Sequence, residues 1–136
     1  MRKIKNEPVL RKDDYNVLIA YLHGAKPKTA FDRVNADALQ GELRKAKLVD
    51  DADFPEDVVR INSTVLVKSE KNNHVMQITL VTPEKANIKE NKISVMAPLG
   101  TALLGFRKGQ RVKWRVPAGE RTFEILEVNN EDHVTI

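Results

Sequence analysis

No cysteine occurs in the 136 residues, which excludes a disulfide framework, a thiolate nucleophile and a zinc–thiolate centre. Aromatic residues are scarce at 5%, so the core must be built from Val, Ile and Leu. A pocket lined by aromatic rings has little to be made from. Long apolar runs are missing too. None approaches the roughly 20 residues of a membrane span, and Met1-Arg2-Lys3-Ile4-Lys5 leads into no apolar signal core, so the cytoplasm is the default expectation. The signatures of catalysis are also absent. There is no GxSxG, HExxH or CxxC, and GFRKGQ (Gly105 to Gln110) lacks the Lys-Ser/Thr ending of a phosphate loop. His23, His74 and His133 lie too far apart to pair at metal-ligand spacing. The chain therefore reads as a non-enzyme with no catalytic residue, metal or cofactor.

What is present is ordinary for a soluble globular chain: 41% hydrophobic and 31% charged residues, a net charge of +4 and a pI near 9.4. The length suits one domain, or one domain with a small appendage. A mild positive excess favours acidic partners, either nucleic acid or an acidic protein surface. It is not gathered in a tail. Residues 1–55 hold 11 basic and 9 acidic side chains, and residues 56–136 hold 12 and 10. So even a spread is a weak nucleic-acid signature.

The first third is patterned for helix. Asp13 can cap a helix carrying Val17, Leu18, Tyr21 and Leu22 that stops at Gly24. The GAKPK connector (Gly24 to Lys28) is a turn. Phe31, Val34, Ala38, Leu39, Leu43 and Ala46 then recur at helical spacing. Residues 1–49 thus predict an antiparallel helical hairpin, a short coiled coil with Lys26 and Lys28 at its tip. Residues 50–57, with Asp50, Asp51 and Asp53 before Pro55, read as an acidic linker. The paired carboxylates Asp13-Asp14 and Asp50-Asp51 are accounted for by cap and linker.

Residues 58–136 are strand-like. Val58 to Lys68 is rich in β-branched residues, KSEKNN is a hairpin connector, and Met76, Ile78 and Leu80 share one face of the next strand. Arg111 to Val116 alternates strictly, with Arg111, Lys113 and Arg115 opposite Val112, Trp114 and Val116. Pro117 to Glu120 turns the chain, and Thr122 to Val128 returns with a less regular alternation. Between these strands lies ISVMAPLGTALLG (Ile93 to Gly105). Pro98 suits a first helical position, Leu99, Ala102 and Leu103 form one apolar stripe, and Gly105 supplies a left-handed stop. Two turns of helix are unstable alone, so this helix is expected to plug the dry face of the sheet. The strand face of Arg111, Lys113 and Arg115, near Arg107, Lys108 and Arg121, is the best nucleic-acid candidate. Its Trp114 points to the other side, however, so the stacking partner such sites use is missing. A solvated strand protected by its charges is the alternative.

The block KISVMAPLGTALLGFRKGQRVKWRVPAGERTFEILEV (Lys92 to Val128) resembles the C-terminal domain of bacterial Gre transcript-cleavage factors. The resemblance is carried by Ile93, Ser94, Pro98, Leu103, Leu104, Gly109, Val112, Pro117, Gly119 and Glu124. FPEDVVRINSTVLV (Phe54 to Val67) is similar to the Rnk subfamily, the regulators of nucleoside diphosphate kinase. The resemblance covers Phe54 to Val128 and extends to the helical hairpin only by layout. It implies an α+β fold in which the hairpin precedes an FKBP-like bent antiparallel sheet with one short helix. It also implies a partner, RNA polymerase, bound at the rim of its secondary channel. The docking segment of the family falls on Met96, Ala97 and Pro98. Ala97 stands where Ser is usual, which removes a capping hydroxyl worth about 0.5–2 kcal/mol.

Gre factors carry acidic residues at the tip of the coiled coil, where they help hold a magnesium ion for RNA hydrolysis. The tip expected here has Lys26 and Lys28 and no carboxylate, and Asp32 stands alone near the turn. The expectation is therefore a polymerase-binding regulator without cleavage activity. A true cleavage factor using Asp32 or another carboxylate, and a nucleic-acid module using Arg111, Lys113 and Arg115, are the alternatives. Prolyl isomerisation, suggested by fold alone, lacks the aromatics to line its pocket.

Overall fold

The computed structural model describes residues 8–24, 30–116 and 119–130. The helices are α1 (Lys12–Gly24), α2 (Ala30–Lys45) and the short α3 (Pro98–Leu103). The strands are β1 (Val9–Arg11), β2 (Lys47–Val49), β3 (Thr64–Ser69), β4 (Val75–Val81), β5 (Lys92–Ser94), β6 (Arg111–Val116) and β7 (Gly119–Asn129). The α+β class and the helical hairpin are as expected. No helix among the described residues is long and apolar enough to cross a membrane. The tip lysines Lys26 and Lys28 lie outside the described residues.

A five-stranded sheet runs in the order β5-β4-β3-β7-β6. It is mixed rather than wholly antiparallel, because β5 lies parallel to β4, with Leu80 opposite Ile93. The segment between them, with short 3₁₀ turns at Pro83–Lys85 and Ile88–Glu90, carries the chain back to run in the same direction. The irregular alternation of the last strand has a local cause. Leu66 faces Glu127 while Val67 faces Ile125, so Leu126 is an extra residue in a β-bulge. Strand β3 begins at Thr64 rather than Val58. Asn62 has φ 77, Ser63 donates its N–H to the Arg60 carbonyl at 3.0 Å, and the Arg60 N–H returns to Ser63 Oγ at 2.7 Å. This turn redirects the chain, and Val58 pairs with Arg107 in an isolated bridge outside the named strands.

The pleat puts Val65, Val67, Ile78, Leu80, Val112, Phe123 and Ile125 on the buried face. Leu103 of α3 covers it, and so do Leu10, Leu18, Leu39 and Leu43 from the N-terminal part, all in one buried cluster. The hairpin thus shares the core of the sheet. The wider lid has a simple reason, since two turns of helix cannot cover five strands.

The parallel pair β1–β2, with Leu10 opposite Leu48, has no periodicity to announce it in the sequence. Its strands flank the hairpin and clasp its base. The Val9 N–H donates to the Gly105 carbonyl at 3.0 Å, and Gly105 donates to Val59 at 2.9 Å. Gly105 has φ +86, and a Cβ there would lie 2.4 Å from Pro8 Cβ, so only glycine lets the first segment pass this close. Polar contacts add to the clasp. Asp14, 4% exposed, receives two hydrogen bonds of 2.9 Å from Arg60. Tyr21 donates to Glu84, holding that carboxyl below its ordinary range and raising the phenol. The acidic linker meets the start of α1, with Asp50 3.1 Å from Lys12 and Asp51 3.0 Å from Arg11.

Candidate functional site

The β5–α3 corner is built by backbone rather than by side-chain capping. Ala97 is extended (φ −76, ψ 155) and offers no capping side chain, so Pro98 opens the helix without one. Three contacts compensate. Ser94 Oγ accepts the Met96 N–H at 2.9 Å, the Ala97 N–H donates to the Ser94 carbonyl at 3.0 Å, and Thr101 Oγ1 donates to the Val95 carbonyl at 2.8 Å. Val95 is fully buried and donates its own N–H to Val81 at 2.8 Å. A Cβ on Gly100 would come 2.1 Å from the Ser94 carbonyl oxygen, so this glycine permits the helix to fold back on its own strand. Gly100 and Thr101 were not singled out by sequence reasoning. Their signal was an apolar stripe interrupted by two small residues.

Met96, Ala97 and Pro98 are brought together as one half-buried surface. Met96 also packs against the core, which fixes its backbone. Pro98 borders a second feature, a groove between α2 and α3 of about 200 Å³, with Val34, Ala38 and Glu42 on one wall and Ala102 and Lys113 on the other.

Among the described residues, carboxylates are interleaved with the basic strand face. Arg111 lies opposite Glu124 in the sheet and pairs with Glu70 at 2.7 Å. Lys113 turns to the α2–α3 groove, and Arg115 stands opposite Glu120 in register. Lys108 meets Glu127 at 3.2 Å and Arg107 meets Asp57 at 3.8 Å. Interleaved carboxylates lower the field a phosphate backbone would feel. At the start of α1, the Arg11 hydrogen bond holds the Asp13 carboxyl below its ordinary range, against a smaller desolvation effect. Asp13 therefore serves Arg11 (3.0 Å) and the Asp14 N–H (2.9 Å) from inside the first turn, and α1 begins one residue earlier than the cap expected at Asp13.

Comparison with known proteins agrees with this architecture. The family description "Transcription elongation factor, GreA/GreB, C-term" matches residues 54–130. The regulator of nucleoside diphosphate kinase of Escherichia coli K12 is 42% identical over 94 residues, 68% of this chain and 69% of that protein. The transcription elongation factor GreA of Caldanaerobacter subterraneus subsp. tengcongensis is 38% identical over 104 residues, 76% of this chain and 66% of that protein. Among solved structures, a GreA/GreB transcription elongation factor from Nitrosomonas europaea superposes with a TM-score of 0.72 at 32% identity, covering 92% of this chain and 99% of that one. With the five-stranded mixed sheet, the short Pro-initiated helix and the preceding hairpin all in place, the chain belongs to the GreA/GreB transcription elongation factor family.

Proposed function

We propose that this protein is an RNA polymerase-binding transcription regulator that docks near the secondary channel through Met96, Ala97 and Pro98 and does not stimulate transcript cleavage. The observation that carries the docking surface is the corner itself. Its backbone is held by Ser94, Gly100 and Thr101, so Met96, Ala97 and Pro98 are presented with little backbone freedom left to lose on binding. Family membership supplies the partner, because Gre-type factors act on RNA polymerase. The absence of cleavage is supported by charge. Two-metal hydrolysis needs oxygen ligands for a hard cation, and the connector between α1 and α2 contains Lys26 and Lys28 and no carboxylate. Asp32 lies in the first turn of α2, where a carboxylate stabilises a helix start. The helices, of 13 and 16 residues, reach only about 20 and 24 Å at 1.5 Å per residue.

The test is binding of purified protein to its cognate RNA polymerase core enzyme, beside a Met96→Asp, Pro98→Ala double variant. Saturable binding by the wild type, lost in a variant that keeps its fold, is the expected result. No binding at micromolar concentration overturns the reading. Addition to a backtracked complex with Mg²⁺ should leave the transcript at full length. Mg²⁺-dependent shortening would instead establish a cleavage factor. Affinity for free nucleic acid that falls steeply with salt would move the function to Arg111, Lys113 and Arg115.

A further inference from the structure

The five-stranded sheet ends in two edge strands, β5 and β6, and they are finished differently. Asn87 and Lys92 exchange both backbone hydrogen bonds at 2.9 Å, and the Ala97 N–H donates to the Ser94 carbonyl at 3.0 Å, so the outer side of β5 is occupied. At the other edge, the Ile125 N–H donates to the Gln110 carbonyl at 2.9 Å. In this antiparallel pair Val112, Trp114 and Val116 therefore bond to β7, and Arg111, Lys113 and Arg115 turn their N–H and C=O groups outward. Among the described residues the outward groups of Arg111 and Lys113 meet no hydrogen-bond partner, and both residues are exposed. A row of unpaired backbone groups is a template for another strand.

We propose that β6 docks an extended acidic segment of a protein partner, which joins the sheet antiparallel as a sixth strand. Its backbone supplies the missing donors and acceptors, and its alternate side chains lie directly opposite positions 111, 113 and 115, all of them basic. The charges select the occupant. When two copies of this edge pair antiparallel, the same three positions face one another, so cation meets cation, and like charges directly opposite are destabilising. A second copy is thereby disfavoured. Within the sheet, Arg111 and Arg115 stand opposite Glu124 and Glu120, and Arg111 also meets Glu70 at 2.7 Å. Lys113 stands opposite Thr122 and makes no ion pair among the described residues, so it is the position at which an incoming carboxylate gains most. Nucleic acid fits less well, because its phosphates offer no donors to the outward carbonyls and are repelled by the interleaved carboxylates. The inference stands apart from the corner at Met96, Ala97 and Pro98.

The experiment titrates the full chain with a synthetic peptide of sequence TEVEVET and follows the exchange of individual backbone amides by NMR. A second peptide, N-methylated at its three glutamates, keeps the charge and removes the donors that face β6. Saturable binding that slows exchange at the Arg111 and Lys113 amides, and is lost with the methylated peptide, is the expected result. Lys113→Glu should weaken it by about ten-fold, and Lys113→Gln by less in the same direction, with thermal melting as the control for folding. Both change an exposed side chain, so at least one of them should melt like the wild type. No saturable binding at millimolar peptide overturns the proposal. Equal binding of the methylated peptide overturns it as well, because charge alone is then being read. A single-stranded RNA oligonucleotide that displaces the peptide and protects the same amides would reassign the edge to nucleic acid. Self-association that protects them without peptide would reassign it to a second copy.

Discussion

Removing the Asp14 carboxylate should unfold far more than the start of one helix. Asp14 and Arg60 are joined by two hydrogen bonds of 2.9 Å, with side-chain exposures of 6% and 17%. Hydrogen bonds to charged groups contribute about 1.5–3 kcal/mol each, and Arg60 regains part of its hydration through its exposed edge. Asp14→Ala should therefore cost about 3 kcal/mol, the low end of the range for breaking a buried pair. Arg60→Ala should cost a similar amount. The Asp14→Ala, Arg60→Ala double variant should lose at least about 2 kcal/mol less than the sum of the singles, because the second change removes a charge already stranded. Urea unfolding measures all four proteins, read by the single Trp114 in the sheet and by circular dichroism for the helices. Since the hairpin and sheet share one core, the two signals should change together. Single variants costing under about 1 kcal/mol, or additive losses, would refute the pair as a latch. Separate transitions would refute the shared core.

Three other outcomes follow from the same contacts. Gly100→Ala places a Cβ 2.1 Å from the Ser94 carbonyl oxygen and should lower stability by about 1–3 kcal/mol, seen as a lower urea midpoint. Thr101→Val keeps the shape but leaves the Val95 carbonyl without its 2.8 Å donor; a loss of about 1–3 kcal/mol is expected, with weaker polymerase binding as the corner loosens. The Asp13 carboxyl is depressed by Arg11 when folded. The folded state thus binds its proton less readily than the unfolded state, and the stabilisation is present above the ordinary carboxylate range and lost as pH falls through the depressed value. Asp13→Asn should remove that component and flatten the acid limb of a stability–pH profile, whereas an unchanged limb would show that the Arg11 contact does not contribute.

The sequence by itself determined the elements whose pattern is local. Helical spacing placed Leu18, Leu39 and Leu43 on buried faces, and period-two alternation placed Ile78, Leu80 and Val112. Pro98 and Gly105 marked the two ends of α3, because fixed and positive φ are properties of the residue itself. The start of α3 was legible in Pro98, and the family in its resemblance over residues 54–128. Tertiary structure alone decided what depends on segments far apart in the chain. Strands β1 and β2 are too short to carry a period and exist because each satisfies the other. The parallel placement of β5, the pairing of Asp14 with Arg60 and the partition of the basic strand between Glu70 and the α2–α3 groove were equally hidden. A charge pattern shows which side chains share a strand face but not which carboxylates another segment will bring against them.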